Sequence, residues 1–210
     1  IPEMTPEQMA VPRQDITPEH LRKTIKELFS DVAPGLGSCC NEHIMSILFS
    51  NEHDVPPLAK AVVDHVTGLA NAVHTGDIPD PFYIYYMATR LIAASKKNPA
   101  SLQDGEAMDV RPINIGNASR RVWTKAYFKP LIEVFIAYTK PCQYGCGEPG
   151  GGTEMVFGVK AMMDGAESNM IASIDVANGY NEIKHSSILQ AVWDCPDLRG
   201  SYFFFHGILS

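Results

Sequence analysis

Met170–Leu189 reads MIASIDVANGYNEIKHSSIL, and the fold turns on how this stretch is parsed. Met170, Ile171, Ala172 and Ile174 give the pattern of a short apolar strand that delivers the carboxylate of Asp175 at its end. Asn178 and Gly179 make a turn, and a helical pattern follows over about residues 181–193. An aspartate where a strand turns into a helix can hold a divalent cation against phosphate. It equally suits a turn, where its side chain bonds the local backbone. The rest of the chain has to separate these readings, above all through the placement of its cations.

The net charge of −7 argues against a general nucleic-acid binder, but it hides a pattern. Residues 1–83 sum to −7, residues 84–140 to +5 and residues 141–210 to −5. The central block holds Arg90, Lys96, Lys97, Arg111, Arg120, Arg121, Lys125, Lys129 and Lys140. Salt screens charges beyond about 8–10 Å, so such a block can meet phosphates on an acidic molecule.

The 210 residues suffice for one large domain or two small lobes. No apolar run approaches the roughly 18 residues of a membrane span, and residues 1–10 lack the pattern of a signal peptide. The start at Ile1 and the stop after SYFFFHGILS read as the ends of a piece of something longer. Cys39, Cys40, Cys142, Cys146 and Cys195 are odd in number and form no disulfide framework, which implies a reducing, intracellular setting. Neither the C-x3-C pair nor the Cys40–His43 pair has a second pair at zinc-ligand spacing, so all five read as ordinary thiols.

Along the chain, residues 1–16 read as extended, and Thr17-Pro18-Glu19 opens a helix to about Ser30. Residues 33–38 form a breaker-rich loop, and a short helix over 41–49 follows. Residues 57–74 carry the clearest amphipathic pattern, with His65 on the apolar face as a core histidine. Residues 82–95 fit helix or strand. Val110–Ile115 reads as a strand in which Pro112 favours an edge position. Residues 117–137 read as helical with a break at Pro130, and Thr153 caps a helix to about Met163. Gly145-x-Gly147-x-x-Gly150 has dinucleotide-loop spacing, but TKPCQY precedes it instead of a strand; it reads as a structural loop.

The extended pieces bearing Arg90 to Lys96 and Arg111 could pair as a hairpin that grips a triphosphate or a nucleic-acid strand. Arginine suits this because its planar fork engages two phosphate oxygens at once. Followed by a metal-binding aspartate, the arrangement meets both needs of nucleotidyl transfer.

This ordered set resembles the reverse transcriptases of non-LTR retrotransposon-like elements over most of residues 17–210. Val32-Ala-Pro-Gly-Leu-Gly37 with Glu42-His43-Ile44 resembles the opening loop and helix of the fingers. Gly76-x-Ile-Pro79 and Arg90-Leu-Ile-Ala with Lys96 resemble the approach to the first fingers strand. Arg111-Pro-Ile-Asn-Ile-Gly116 with Arg120, Arg121 and Lys125 is similar to the second fingers motif. Gln143-Tyr-Gly-Cys-Gly147 and Gly151-Gly-Thr-Glu154 resemble the loop between fingers and palm, and Asp175-Val-Ala-Asn-Gly-Tyr-Asn181 the first catalytic palm motif.

The resemblance implies an α+β chain: right-hand polymerase fingers with a partial palm and a helix-rich N-terminal part. It divides the chain into an extended segment 1–16, fingers 17–169 and a partial palm 170–210. It makes Asp175 the catalytic carboxylate and, with the Val176 carbonyl, a ligand of Mg2+ (or Mn2+). It gives Tyr180 the sugar-gating position, Lys96 and Arg111 the nucleotide, and Arg120, Arg121, Lys125 and Gln143 the nucleic acid. The implied partners are an RNA template, a DNA primer and a deoxynucleotide triphosphate, with no membrane; the missing part of the palm or a protein assembly would complete the chain. The family's paired-aspartate motif is absent, since no Asp-Asp dipeptide occurs. One aspartate cannot hold two ions, so the isolated chain is expected to be inactive. The alternative reading is a catalytically inactive, reverse-transcriptase-derived RNA-binding or structural protein. The aromatic run Tyr202–Phe205 is expected to pack on a palm strand or a partner.

Overall fold

A computed structural model describes residues 3–48, 57–95, 110–145, 147, 149–165, 170–176 and 179–209. The chain is a mixture of helices with one two-stranded antiparallel sheet among the described residues, consistent with the α+β expectation. It forms two compact units, one of residues 15–129 and one of residues 1–14 with 130–210.

In the first unit, helix α2 (Pro18–Lys26) starts where expected: Pro18 occupies the first turn and the Thr17 hydroxyl accepts the His20 N–H at 3.1 Å. Leu21, Thr24 and Ile25, spaced i, i+3, i+4, form its buried stripe. Helices α3 (Asn41–Leu48) and α4 (Pro57–Thr75) pack beside it. The α4 stripe is Val63, Thr67, Ala70, Val73 and His74. His65, expected in the core, is exposed, with Nδ1 2.7 Å from the Ala61 carbonyl. It stands two residues beyond Val63, about 200° around the helix, so the stripe that buries Val63 turns His65 outward. His74 is the core histidine instead.

Residues 80–95 divide into helix α5 (Asp80–Met87) and strand β1 (Thr89–Ser95). Strand β2 (Val110–Gly116) pairs with β1 in register Thr89 to Gly116 and Ser95 to Val110, forming the expected hairpin. Pro112 is tolerated because both strands of a two-stranded sheet are edges. Helix α6 (Ala118–Phe128) begins two residues after β2. It buries Ala118, Val122, Trp123, Ala126 and Tyr127, and Trp123 stacks on Tyr86 of α5 with ring centroids 5.5 Å apart.

The second unit begins with a surprise for residues read as extended. Thr5 and Gln8 make a reciprocal capping box that opens helix α1 (Pro6–Ala10). The break at Pro130 appears as a 3-10 turn, Lys129–Leu131, leading into α7 (Ile132–Thr139). Helix α8 (Gly151–Asp164) starts two residues before the expected Thr153 cap. Gly150, with φ +76°, supplies the turn and accepts the Thr153 and Glu154 N–H groups. Gly147 has φ +69°, and a Cβ there would lie 3.1 Å from Ile132, so the loop's glycines are accounted for structurally.

The strand expected to end at Asp175 is not formed. Residues 170–176 have no regular secondary structure, with Met170 91% and Ile174 87% exposed. A strand needs a neighbour to satisfy its backbone, and among the described residues the hairpin strands are the only ones. Beyond it lie α9 (Gly179–Glu182), α10 (His185–Asp194), a 3-10 turn Pro196–Ser201 and α11 (Tyr202–Leu209). The aromatic run expected to pack on a palm strand or a partner is part of α11, where Tyr202 and Phe204 are buried and Tyr202 meets Trp193 of α10 edge-on at 5.4 Å. The Arg13 guanidinium lies over the Phe203 ring at 4.0 Å.

Candidate functional site

An open cleft of about 670 Å³ lies at the base of the hairpin in the 15–129 unit. Thr89 of β1, Asn114, Ile115 and Gly116 of β2, and Val32 and Ala33 form part of its wall. Helix α6 contributes Arg120, Arg121, Thr124, Lys125 and Phe128. The 3.6-residue period explains the last group: with 122, 123, 126 and 127 turned to the core, 120, 121, 124, 125 and 128 face outward. Among the described residues, three cations and no carboxylate line the cleft, which suits an anionic ligand.

Two of these cations are anchored. Arg120 Nη1 donates to the Met87 carbonyl at 2.8 Å, and Arg121 Nη1 donates to the Ala33 carbonyl at 2.8 Å. Arg121 Nη2 also donates to Asn41 Oδ1 at 3.2 Å. A guanidinium has five N–H donors, so each retains donors beyond these bonds. Lys125 Nζ is held more loosely, 3.5 Å from the Glu27 carbonyl and 4.0 Å from its carboxylate. Lys129 pairs with the same carboxylate and holds the Glu27 carboxyl below the usual range.

Asn117 ties the segments around the cleft together. It is 6% exposed; its Oδ1 accepts the Gly37 N–H at 3.1 Å and its Nδ2 donates to the Tyr85 carbonyl at 3.3 Å. Gly35 packs so closely that a Cβ would lie 2.8 Å from the Asn117 backbone. The sequence places Asn117 only as the first residue of the helical stretch 117–137. Here its side chain bridges two other segments instead.

The other expected site residues are placed as follows. Arg111 is exposed on β2 opposite Ala94, about 17 Å along the strand from the cleft's Gly116. Arg90 lies opposite Ile115, so it shares one face of the hairpin with Arg111, with the Ile92–Ile113 pair between them. Lys96 lies outside the described residues, as does the Tyr180 side chain, whose backbone is in α9. In the other unit, Gln143 Oε1 accepts the Gly145 N–H at 2.7 Å in a local turn. Asp175 is exposed, and the Val176 carbonyl accepts the Gly179 N–H at 3.3 Å.

The Asp175 carboxylate and the Val176 carbonyl can offer two oxygens to Mg2+, which takes six and commonly fills the rest with phosphate and water. Among the described residues no group of three His, Cys, Asp or Glu side chains could hold a metal by itself. No helix among the described residues is long and apolar enough to cross a membrane. No protein-family model, curated protein or solved structure matches the chain.

Proposed function

We propose that the chain comprises the fingers and the opening of the palm of an RNA-directed DNA polymerase, the family its motifs resemble. One observation supports this above the others. The Arg111 hairpin runs directly into a helix whose Arg120, Arg121 and Lys125 converge on one cleft at the hairpin base. In this reading the cleft takes the phosphate backbone of the RNA template and DNA primer. Arg111 meets the triphosphate of the deoxynucleotide, and Asp175 with Val176 offers oxygens to Mg2+ or Mn2+. The bound ion would neutralise charge as the primer 3′-hydroxyl attacks the α-phosphate and pyrophosphate leaves. Tyr180 would exclude a ribose 2′-hydroxyl.

Two measurements on the whole chain test the reading. Binding of a labelled RNA–DNA primer–template, followed by anisotropy, should weaken about 20- to 40-fold between 50 and 200 mM salt if three cations meet phosphates. Lys125→Ala should reduce the salt slope by about 0.7–0.9, because among the described residues this lysine is held only loosely, by Glu27. Salt-independent binding, or none, would remove the nucleic-acid assignment. The second measurement adds Mg2+ and the next complementary deoxynucleotide, which should slow release of the primer–template severalfold. Arg111→Ala and Asp175→Asn should each abolish that effect while leaving binary binding in place.

A second reading has its own support: every residue of the cleft belongs to the 15–129 unit. Nucleic-acid binding can thus be retained without Asp175, as an inactive RNA-binding or structural protein would require. Primer–template binding that ignores the complementary nucleotide favours this reading.

A further inference from the structure

We propose that Cys40 is a nucleophilic thiol, with His43 as its proton acceptor, and that it is a modification site for small peroxides. The pair stands at the start of α3, where Cys40 Sγ lies 3.3 Å from His43 Nδ1. The Cys40 backbone N–H also donates to Nδ1, at 3.3 Å. A ring nitrogen that accepts an N–H carries no proton of its own, so the single Nδ1 lone pair is shared between the Cys40 N–H and the thiol. Nucleophile and base are thus within reach before any ligand arrives.

A third group completes the arrangement. The Glu42 carboxyl is held below the usual range, first by the Asp31 N–H, then by its own N–H and the Cys40 thiol, and also by the charge of His43. Glu42 thus faces both partners: it accepts from the Cys40 thiol, and its charge favours the imidazolium that forms when His43 takes the thiol proton. Cys40 is partly exposed and His43 exposed, so a small molecule can reach the sulfur. The other described thiols differ. Burial pushes the Cys39 thiol up, Cys195 is buried, and Cys142 is exposed, with no histidine bonded to it among the described residues.

The chemistry balances with a peroxide as the only co-reactant. The thiol proton passes to His43 Nδ1, and the sulfur attacks one peroxide oxygen. The O–O bond breaks, and the departing oxygen takes the proton from Nδ1 and leaves as water or an alcohol. Sulfur loses two electrons and ends as a sulfenic acid, while the peroxide is reduced. The inference does not depend on what the cleft binds.

The test exposes the whole chain to hydrogen peroxide at neutral pH, traps sulfenic acid with dimedone, and reads each cysteine by peptide mass spectrometry. Cys40 should be trapped about tenfold faster than Cys142, because a base stands within reach of its sulfur. His43→Ala should bring Cys40 down to the Cys142 rate and leave Cys142 unchanged, with Cys195 staying unreactive as a check that the chain is folded. Equal rates at Cys40 and Cys142 in the unsubstituted chain overturn the proposal without reference to any variant. So does a Cys40 excess that survives His43→Ala.

Discussion

Trp123→Ala should destabilise the 15–129 unit by about 3–5 kcal/mol, the usual range for deleting a buried indole. Trp123 is 7% exposed and stacks on Tyr86 at an interplanar angle of 18°. Its surroundings place the cost at the upper end. A small apolar cavity of about 100 Å³ already borders it, lined by Leu21, Ile25, Ile44, Val66, Ser119, Val122 and Trp123 itself. Those residues come from α2, α3, α4 and α6, and closing the enlarged void would require several helices to shift together. Urea denaturation should show a lower midpoint with little change in slope, and Trp123→Phe should recover most of the loss. A loss below about 1 kcal/mol would mean that the interior collapses around the gap and that Trp123 does not organise it. The consequence reaches the cleft because α6 has two working faces. The face that packs Trp123 fixes the direction in which Arg120, Arg121 and Lys125 are presented.

That two-faced helix marks what sequence could show. The pattern over residues 117–137 announced a helix with a break at Pro130, and α6, the 3-10 turn and α7 follow it. The cations of the cleft were legible by the same logic, since three basic residues between apolar positions must lie on the outer face. The hairpin was legible as two extended pieces, although residues 82–95 needed the structure to separate α5 from β1. Asn117 was not legible in its actual role. Its partners, Gly37 and Tyr85, lie 80 and 32 residues away, and nothing local predicts such bonds. Residues 170–176 failed for the opposite reason. Their composition suits a strand, but composition carries no information on whether a neighbouring strand is present to pair with. His65 failed by rotation: it joined a broad apolar face on paper, whereas the buried stripe is narrower and centred elsewhere.

The same stripe gives the second large effect, an acid sensitivity centred on His74. This ring is 7% exposed and meets Tyr127 edge-on, with centroids 5.0 Å apart. Burial lowers its pKa from 6.5 to about 4, because the charged imidazolium would lose its hydration there. In the unfolded chain the histidine titrates near 6.5, so between pH 6.5 and 4 the unfolded state binds more protons than the folded one. Stability from the neutral buried ring is therefore fully present above pH 6.5. It falls progressively with acidification and is lost by about pH 4, a change of about 3 kcal/mol. His74→Phe keeps an aromatic ring against Tyr127 and removes the titration. Urea unfolding at pH 7, 5.5 and 4, followed by Trp123 emission in a Trp193→Phe background, separates this histidine from the carboxylates that titrate in both proteins. The unsubstituted chain should lose about 3 kcal/mol more than His74→Phe over that interval, most of it above pH 4. If both proteins lose stability in parallel, His74 takes up its proton without unfolding the unit, and the ring is more accessible to water than its packing against Tyr127 indicates.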